Sequence, residues 1–554
     1  MRFYQTQSEK HIPPSRRRRS RSRDYDSLKG KTEELFKFWQ GIVFWAVLLA
    51  GSFFIYFVFH FQGPSGEEAF NFATRGRAIA RGAAGSDLLI RPVFLEEGRP
   101  FAAYSGEILP PLYPRIQALA FKVGGYDDVS TVLAGSFFFL AAALLTYGLA
   151  RRILPKNAAL LVFFFTFTNP SLLRSAINGL PTAFLVFLIV LIFYGREVLP
   201  PRISAGFSGV ILGAAFLADY SSLFFIPVFL VYLLFTVRDR RAGWAGAGIF
   251  LAGFFAVLTP WLIGEAISGR GTFARYLSYH WRSGTALLPG RTADGLFGIP
   301  LDSFALPFSV VIGKLHQGIS ILYREALAVS GNFIGLFFWG SLFYRPPAGR
   351  GQNRRLLCLL LLAAGGAWMV LFQPRPEFLV PLLPLVILYG TEFFFTLKER
   401  FGPRGKAAVR AVTAGFIAVN CLPLFFGRPA PDPLRQETIN SFEYLKTLIR
   451  EEELVLTDIP ALVNWYGNRP AVRIPLNPEM AREMLRGHPG PVFLLLSPRL
   501  SGREDLDPTG RWWRLYNLRT WPDPGPFDQV MLLPGRLVFM GNKSLLLNRI
   551  SARW

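Results

Sequence analysis

The stretch Phe53-Phe54-Ile55-Tyr56-Phe57-Val58-Phe59-His60-Phe61-Gln62-Gly63-Pro64-Ser65-Gly66-Glu67-Glu68 is an apolar run that stops at an acidic pair. Read backwards, the run reaches to about residue 38, long enough to cross a bilayer, which takes roughly 17–25 residues. Read forwards, Ala69, Phe72, Gly76, Ile79 and Ala83 recur at helical spacing. That spacing predicts an amphipathic helix lying in the membrane interface. A span, a short turn, two carboxylates at the surface and an interfacial helix together predict a membrane protein that is mostly α, with its chemistry at the bilayer surface.

The rest of the chain extends this pattern. Its 554 residues are 51% hydrophobic and only 18% charged, and Phe occurs 54 times. Soluble chains carry about a quarter charged residues. Further spans are expected near 130–150, 157–173, 180–195, 203–218, 220–237, 242–264, 326–344, 356–373, 378–397 and 407–426, about eleven in all. The net charge of +23 resides in loops, so it reports membrane orientation rather than nucleic-acid binding. One set of loops holds Arg151, Arg152, Lys156, Arg196, Arg202, Arg238, Arg240, Arg241, Arg345, Arg350, Arg354, Arg355, Lys398, Arg400, Arg404 and Lys406. The short loops on the other side hold only Arg174 and Arg375. The basic set joins the arginine-rich tail, residues 1–37, on the cytoplasmic side of an inner membrane, where such a tail lies near anionic head groups. No cleavable leader is expected, because the first run is long enough to stay as an anchor. Cys358 and Cys421 lie in apolar runs and make no metal cluster or disulfide framework.

With an odd number of spans, the membrane domain, 38–426, sends its C-terminus outward. Two long segments, 62–129 and 265–325, face the same side; Phe304–Ile312 in the second is too short to span and reads as re-entrant or interfacial. Residues 427–554 read as a small extracytoplasmic α/β domain joined by a proline-rich linker, with a helix at Asn440–Arg450, strands at Leu454–Leu456 and Val492–Leu496, and a helix at Pro478–Arg486.

The spans carry almost no charge. Glu392 and Arg410 are expected to snorkel at cytoplasmic ends. Acids gather instead outside, at Glu67, Glu68, Asp219, Glu265 and Glu377. An ion-coupled transporter would place charge at mid-membrane, so surface chemistry is favoured. Ser65 and Glu68 are spaced as a capping box, which gives Glu68 a structural task and leaves Glu67 as the better general base. Asp219 reads as a helix cap; paired with Glu67 it would also make a two-carboxylate site for a divalent metal. His60, Trp261, Trp281 and Trp465 read as interfacial residues, although the tryptophans have the shape to stack on a sugar.

The order of motifs resembles the GT-C glycosyltransferases of the family 39 type, which include protein O-mannosyltransferases and lipid A aminoarabinose transferases. Glu67-Glu68 stands where that family carries Asp-Glu after its first span. Pro110-Pro111-Leu112-Tyr113-Pro114, Phe216-Leu217-Ala218-Asp219-Tyr220, Phe378-Leu379-Val380-Pro381-Leu382-Leu383-Pro384 and Trp465-Tyr466-Gly467-Asn468-Arg469-Pro470 follow in matching order. The resemblance implies transfer, with inversion, of a sugar from a polyprenyl-phosphate donor to an extracytoplasmic glycan, lipid or protein hydroxyl. It implies Glu67 and Glu68 as catalytic residues and Arg174, Arg375, Asp219 and Tyr113 as substrate contacts. This chain departs from the pattern where Thr182 replaces a second acid, Asp219 replaces a lysine and Glu377 replaces a basic residue. A catalytically inactive scaffold of the same fold, or a lipid or polysaccharide transporter, is the alternative.

Overall fold

The structure is a computed structural model and describes residues 50–64, 66–82, 89–90, 109–236, 239–268, 271–282, 307–329, 333–343, 350–372, 375–400, 410–419, 433–485, 488, 490–502, 507, 509–519, 527–542, 544 and 546. The basic tail, the proline-rich linker, Ser65 and Cys421 lie outside these residues. The chain divides into two compact units, Met1–Phe61 and Gln62–Trp554. In the first, helix α1 (Ala50–His60) is described. Its His60 donates from Nδ1 to the Tyr56 carbonyl at 3.0 Å and stacks on the Tyr56 ring, a local role.

The second unit begins with the amphipathic helix α2 (Glu67–Ala80), followed by α3 (Leu112–Gly124). These two pack closely at Gly76, where a Cβ would lie 3.0 Å from Gln117 Cβ and 3.1 Å from the Pro114 carbonyl oxygen. Helix α4 (Asp128–Ile153) is a long apolar span. The third expected span is a pair, α5 (Lys156–Thr168) and α6 (Pro170–Ile177), bent by 52°. The break has a cause: Pro170 lacks an N–H, and the Asn169 side chain accepts from the amides of Ser171 and Leu172, starting a new helix.

Helices α7 (Thr182–Val198) and α8 (Pro201–Ala218) follow, then a 3-10 turn Tyr220–Phe224 leading into α9 (Phe225–Thr236), and α10 (Arg240–Ser268). Helices α8 and α10 meet through small residues. A Cβ on Gly209 would stand 2.0 Å from the Phe250 carbonyl oxygen, and one on Gly253 would stand 2.5 Å from that of Gly206. Lipid offers no hydrophobic drive for helix pairing, so backbone approach of this kind supplies the dispersion contacts that hold spans together.

Beyond α10 the chain forms α11 (Thr272–Arg282), α12 (Phe308–Val329), α13 (Phe333–Leu342), α14 (Arg350–Leu371), a 3-10 segment Pro376–Leu382, α15 (Leu383–Arg400) and α16 (Arg410–Val419). Two expectations change here. Of the stretch Phe304–Ile312, the described part opens the 22-residue helix α12. The span expected at 326–344 is divided between α12 and α13. Glu392 pairs with Arg355 at 3.0 Å, the guanidinium side chain only 5% exposed. Among the described residues five helices are long and apolar enough to cross a membrane, or six counting the bent pair; the shorter apolar helices Ala50–His60, Tyr220–Phe235 and Arg410–Val419 accompany them. The chain is a multi-pass membrane protein, mostly helical; eleven spans are not counted among these residues.

The C-terminal part is a six-stranded sheet flanked by helices, including α17 (Pro433–Leu448). Strands β2 (Leu454–Thr457), β3 (Ala471–Arg473) and β4 (Val492–Leu496) are parallel; β5 (Gln529–Leu533) and β6 (Leu537–Gly541) close one side antiparallel. The other edge is β1 (Leu89–Ile90), from the segment after α2, paired in parallel with β3. The order is β1-β3-β2-β4-β6-β5. Leu454, Leu456 and Leu494 face one core with Trp512, while Val455, Phe493 and Leu495 face the other with Phe442, Leu445, Leu448 and Ile449 of α17 and its end. This alternation is the period-two signature of a sheet covered on both faces.

Candidate active site

The acidic pair opens α2. Gly66, with φ 84°, stands at the N-cap and offers no side chain to the helix. The other member of the expected capping box, Ser65, lies outside the described residues. The two glutamates diverge, as consecutive helical residues must, about 100° apart around the axis.

Glu67 turns to the C-terminal domain and pairs with Arg473, at the carboxyl end of β3. Side-chain exposure is 12% for Glu67 and 3% for Arg473, so solvent hardly reaches this pair. Glu68 turns to the helical bundle and pairs with Arg375, with exposures of 31% and 44%. The two glutamates thus have different partners and different exposure. Glu67 and its partner are largely closed to solvent, whereas Glu68 and its partner are open to it.

Around Glu68 and Arg375 lies a charged and aromatic cluster. Asp219, at the outward end of α8, accepts from the Ser221 amide at 2.9 Å and caps the following turn, as expected. Burial raises its carboxyl to about 6, with Glu68 adding to the rise and Arg375 opposing it. Glu68 pushes the Arg375 guanidinium above its ordinary range. Tyr276 of α11 is the unforeseen member. Its ring lies 4.9 Å from that of Tyr220, and burial, then Asp219 and Glu68, push its phenol well up. Helix α11 is held at both ends: Glu265 accepts from the Thr272 amide (2.7 Å) and hydroxyl (2.8 Å), and Lys314 donates to the carbonyls of His280 (2.8 Å) and Trp281 (2.7 Å). An arrangement of carboxylates near an arginine and aromatic rings can accept a proton, hold an anion and cover a ring-shaped substrate.

The other expected residues are placed elsewhere. Tyr113 is fully buried, edge-on to Phe72 at 5.5 Å, and joins α3 to α2 rather than facing solvent. Arg174 is exposed on α6, and no described ion pair or hydrogen bond joins it to the Glu68 cluster. Thr182, where an acid was expected, is buried beside the loop at Gly179, whose added Cβ would lie 3.2 Å from Ala69 Cβ. Trp261 packs with Phe216 and Tyr220. Trp465 donates from Nε1 to Asp128 at 2.7 Å, and Tyr466 donates to the same carboxylate at 2.7 Å. Both are thus fasteners at the head of α4 rather than sugar platforms. Among the described residues no group of three or more His, Cys, Asp or Glu could hold a metal; Glu67 is paired with Arg473.

Comparison with solved structures settles the fold. The chain superposes on ArnT from Cupriavidus metallidurans in the apo state with a TM-score of 0.61 at 12% identity, covering 91% of this chain and 99% of that one. The chain has a GT-C glycosyltransferase fold. The GT-C match extends to the same ArnT bound to undecaprenyl phosphate (TM-score 0.60, 13% identity, 90% and 98% covered). It extends also to the oligosaccharyltransferase AglB from Archaeoglobus fulgidus in complex with an inhibitory peptide and a dolichol-phosphate (TM-score 0.53, 12% identity, 90% and 74% covered). Residues 109–263 match the family described as dolichyl-phosphate-mannose-protein mannosyltransferase. No curated protein sequence matches the chain. The GT-C fold of the mannosyltransferase and ArnT type accounts for helices α3 to α10 by sequence as well as shape.

Proposed function

We propose that this protein transfers a sugar from a polyprenyl-phosphate-linked donor to an extracytoplasmic acceptor hydroxyl, with inversion at the anomeric carbon. The observation that carries the reading is the solvent-reached Glu68–Arg375 pair beside Asp219, on the bundle face where the C-terminal domain sits. The two structural neighbours with lipid phosphates bound support a donor of the same kind. In the proposed reaction the acceptor oxygen attacks the anomeric carbon, the bond from that carbon to the phosphate oxygen breaks, and the acceptor proton passes to Glu68. Polyprenyl phosphate leaves with the bonding electrons. Arg375 exchanges its partner, from Glu68 to the donor phosphate, so donor binding both neutralises the leaving group and frees the base. Asp219 and Tyr276 line the sugar's side of the cleft.

The proposed orientation puts the basic loops in the cytoplasm and this site outside, with residues 1–37, 38–426 and 427–554 as tail, membrane domain and outward domain of a bacterial inner-membrane protein. A periplasmic reporter fused after Trp554 is then active, and one fused at Arg240–Arg241 is silent. The functional test is transfer of radiolabelled sugar from a panel of polyprenyl-phosphate donors in membranes carrying the chain. Label moves into a lipid, glycan or protein fraction with the wild type and not with Glu68→Gln. Equal transfer by the two would sink the assignment, and no transfer from any such donor would sink the function.

A further inference from the structure

The start of α2 does not by itself fix the rotation of the helix about its axis. Its N-cap is a glycine without a side chain, and its first turn carries two like charges. Helix α3 packs against it at Gly76 and through Tyr113, and the C-terminal domain holds it at two further points. Glu67 pairs with Arg473, and Arg77 donates to the carbonyls of Trp465 (2.7 Å) and Asn464 (2.6 Å) while lying 4.7 Å over the Trp465 ring. Helical geometry makes these two anchors neighbours around the axis. At about 100° per residue, Arg77 lies about 80° from Glu67 and about 180° from Glu68. The face held by the outer domain is therefore opposite the face that carries Glu68. Phe70 and Ala73, packed with Ala461 and Trp465, continue the held face along the helix.

We propose that Arg473 is a positioning residue for transfer: by holding Glu67 it sets the rotation of α2 that aims Glu68 at Arg375 and Asp219. The inference rests on the reading of Glu68 given above. Arg473 suits the task. It ends a parallel strand flanked by β1 and β2, its side chain is only 3% exposed, and its neighbours Ala471 and Val472 are fully buried, so it has little freedom to follow a helix that turned. A lysine there keeps the charge but loses the planar fork that matches a carboxylate. The C-terminal domain is then part of the active site's frame without touching the reacting atoms.

The test uses the purified full-length protein. Removing Arg473 alone would leave a buried carboxylate and endanger folding, so the informative variants are the neutral pair Glu67→Gln/Arg473→Gln and the swapped pair Glu67→Arg/Arg473→Glu. With a synthetic polyprenyl-phosphate sugar that the wild type turns over, the neutral pair lowers kcat at least tenfold and leaves donor KM within twofold. The swapped pair restores kcat to within about threefold. A second readout needs no activity: with Glu68→Cys and Arg375→Cys present and Cys358 and Cys421 replaced by serine, a short bis-maleimide bridges positions 68 and 375. The yield falls about fivefold in the neutral-pair background and returns in the swapped pair. An unchanged yield with unchanged kcat overturns the proposal. If Glu68→Gln retains transfer while the yield still falls, the positioning role stands and the assignment of Glu68 as base is what fails.

Discussion

Two acidic residues one peptide apart have opposite surroundings. On the domain side of α2, Glu67 meets an arginine that solvent hardly reaches, and the same contact zone holds Arg77, Trp465, Tyr466 and Asp128 in short, satisfied hydrogen bonds. On the bundle side, Glu68 meets an arginine that is nearly half exposed, next to an acid whose titration burial has displaced. The first region is a closed joint and the second is a charged cluster open to solvent. Chemistry needs groups that can exchange partners, whereas a joint needs groups that cannot. Burial, rather than residue type, distinguishes the two.

The comparison breaks most decisively at Glu68. Glu68→Gln keeps the shape and removes the basic carboxylate, so the transfer rate falls by about 10²–10⁴, the usual worth of a general base. Equal loss in a Glu68→Asp variant would sharpen the point, because a carboxylate one methylene short keeps its charge and loses its reach.

The joint is tested next. Asp128→Ala removes the acceptor shared by Trp465 and Tyr466. Two hydrogen bonds to a charged group are worth roughly 1.5–3 kcal/mol each, and the partners can rebond to water in part, so about 2–4 kcal/mol of domain attachment is lost. Limited proteolysis at the domain boundary reads this as faster cleavage, with the bundle still resistant.

A smaller effect belongs inside the outer domain. Asp458 is buried at the end of β2, accepts from the amide and hydroxyl of Ser497, and has its carboxyl pushed up to about 6 by burial. A folded-state value above the unfolded one means the folded domain binds its proton more tightly. This contribution is present below the unfolded value and is lost as pH rises through about 6. Between pH 5 and pH 8 the domain loses about 1–2 kcal/mol, and Asp458→Asn abolishes that slope. Hydrogen exchange of the β2 and β4 amides at the two pH values measures it.

The smallest effect is at Asp219. Above about 6 its carboxylate adds negative charge beside Glu68 and repels a donor phosphate. Donor KM accordingly rises about threefold from pH 5 to pH 7.5 in the wild type, in line with a surface-type charge interaction. Asp219→Asn flattens the rise.

Much of this was readable before any coordinates. Apolar runs located the bundle because a bilayer demands continuous hydrophobic helices, and the two strands β2 and β4 were marked by short β-branched and leucine-rich runs. The broken span at Asn169-Pro170 carried its own signal, a capping residue before a proline, inside a run otherwise long enough to hide it. The α8 face that α10 packs on, with Gly209 and Gly213 one turn apart, is known from the structure alone. What the chain could not reveal is pairing across hundreds of residues. Nothing near Glu67 announces Arg473, although a lone arginine in the apolar run Ala471-Val472-Arg473-Ile474 is a charge that must find a partner if the run is buried. Tyr276 was similarly masked: the aromatic spacing of Phe273, Tyr276 and His280 marks one helix face, and only the fold shows that this face covers Asp219.

The edge strand β1 has one more implication, for the order of assembly. Leu89 and Ile90 leave the ribosome soon after the first span, yet their partners Ala471 and Val472 emerge only when most of the chain has been made. Pairing of such high sequence separation must pay its loop-closure entropy late, after the intervening helices have condensed in the membrane. The segment that carries the acidic pair therefore waits, unlatched, through nearly the whole of synthesis. A nascent chain stalled before residue 471 would have both glutamates in place but lack the partner of Glu67, so the arrangement at the start of α2 is complete only once Arg473 has been made.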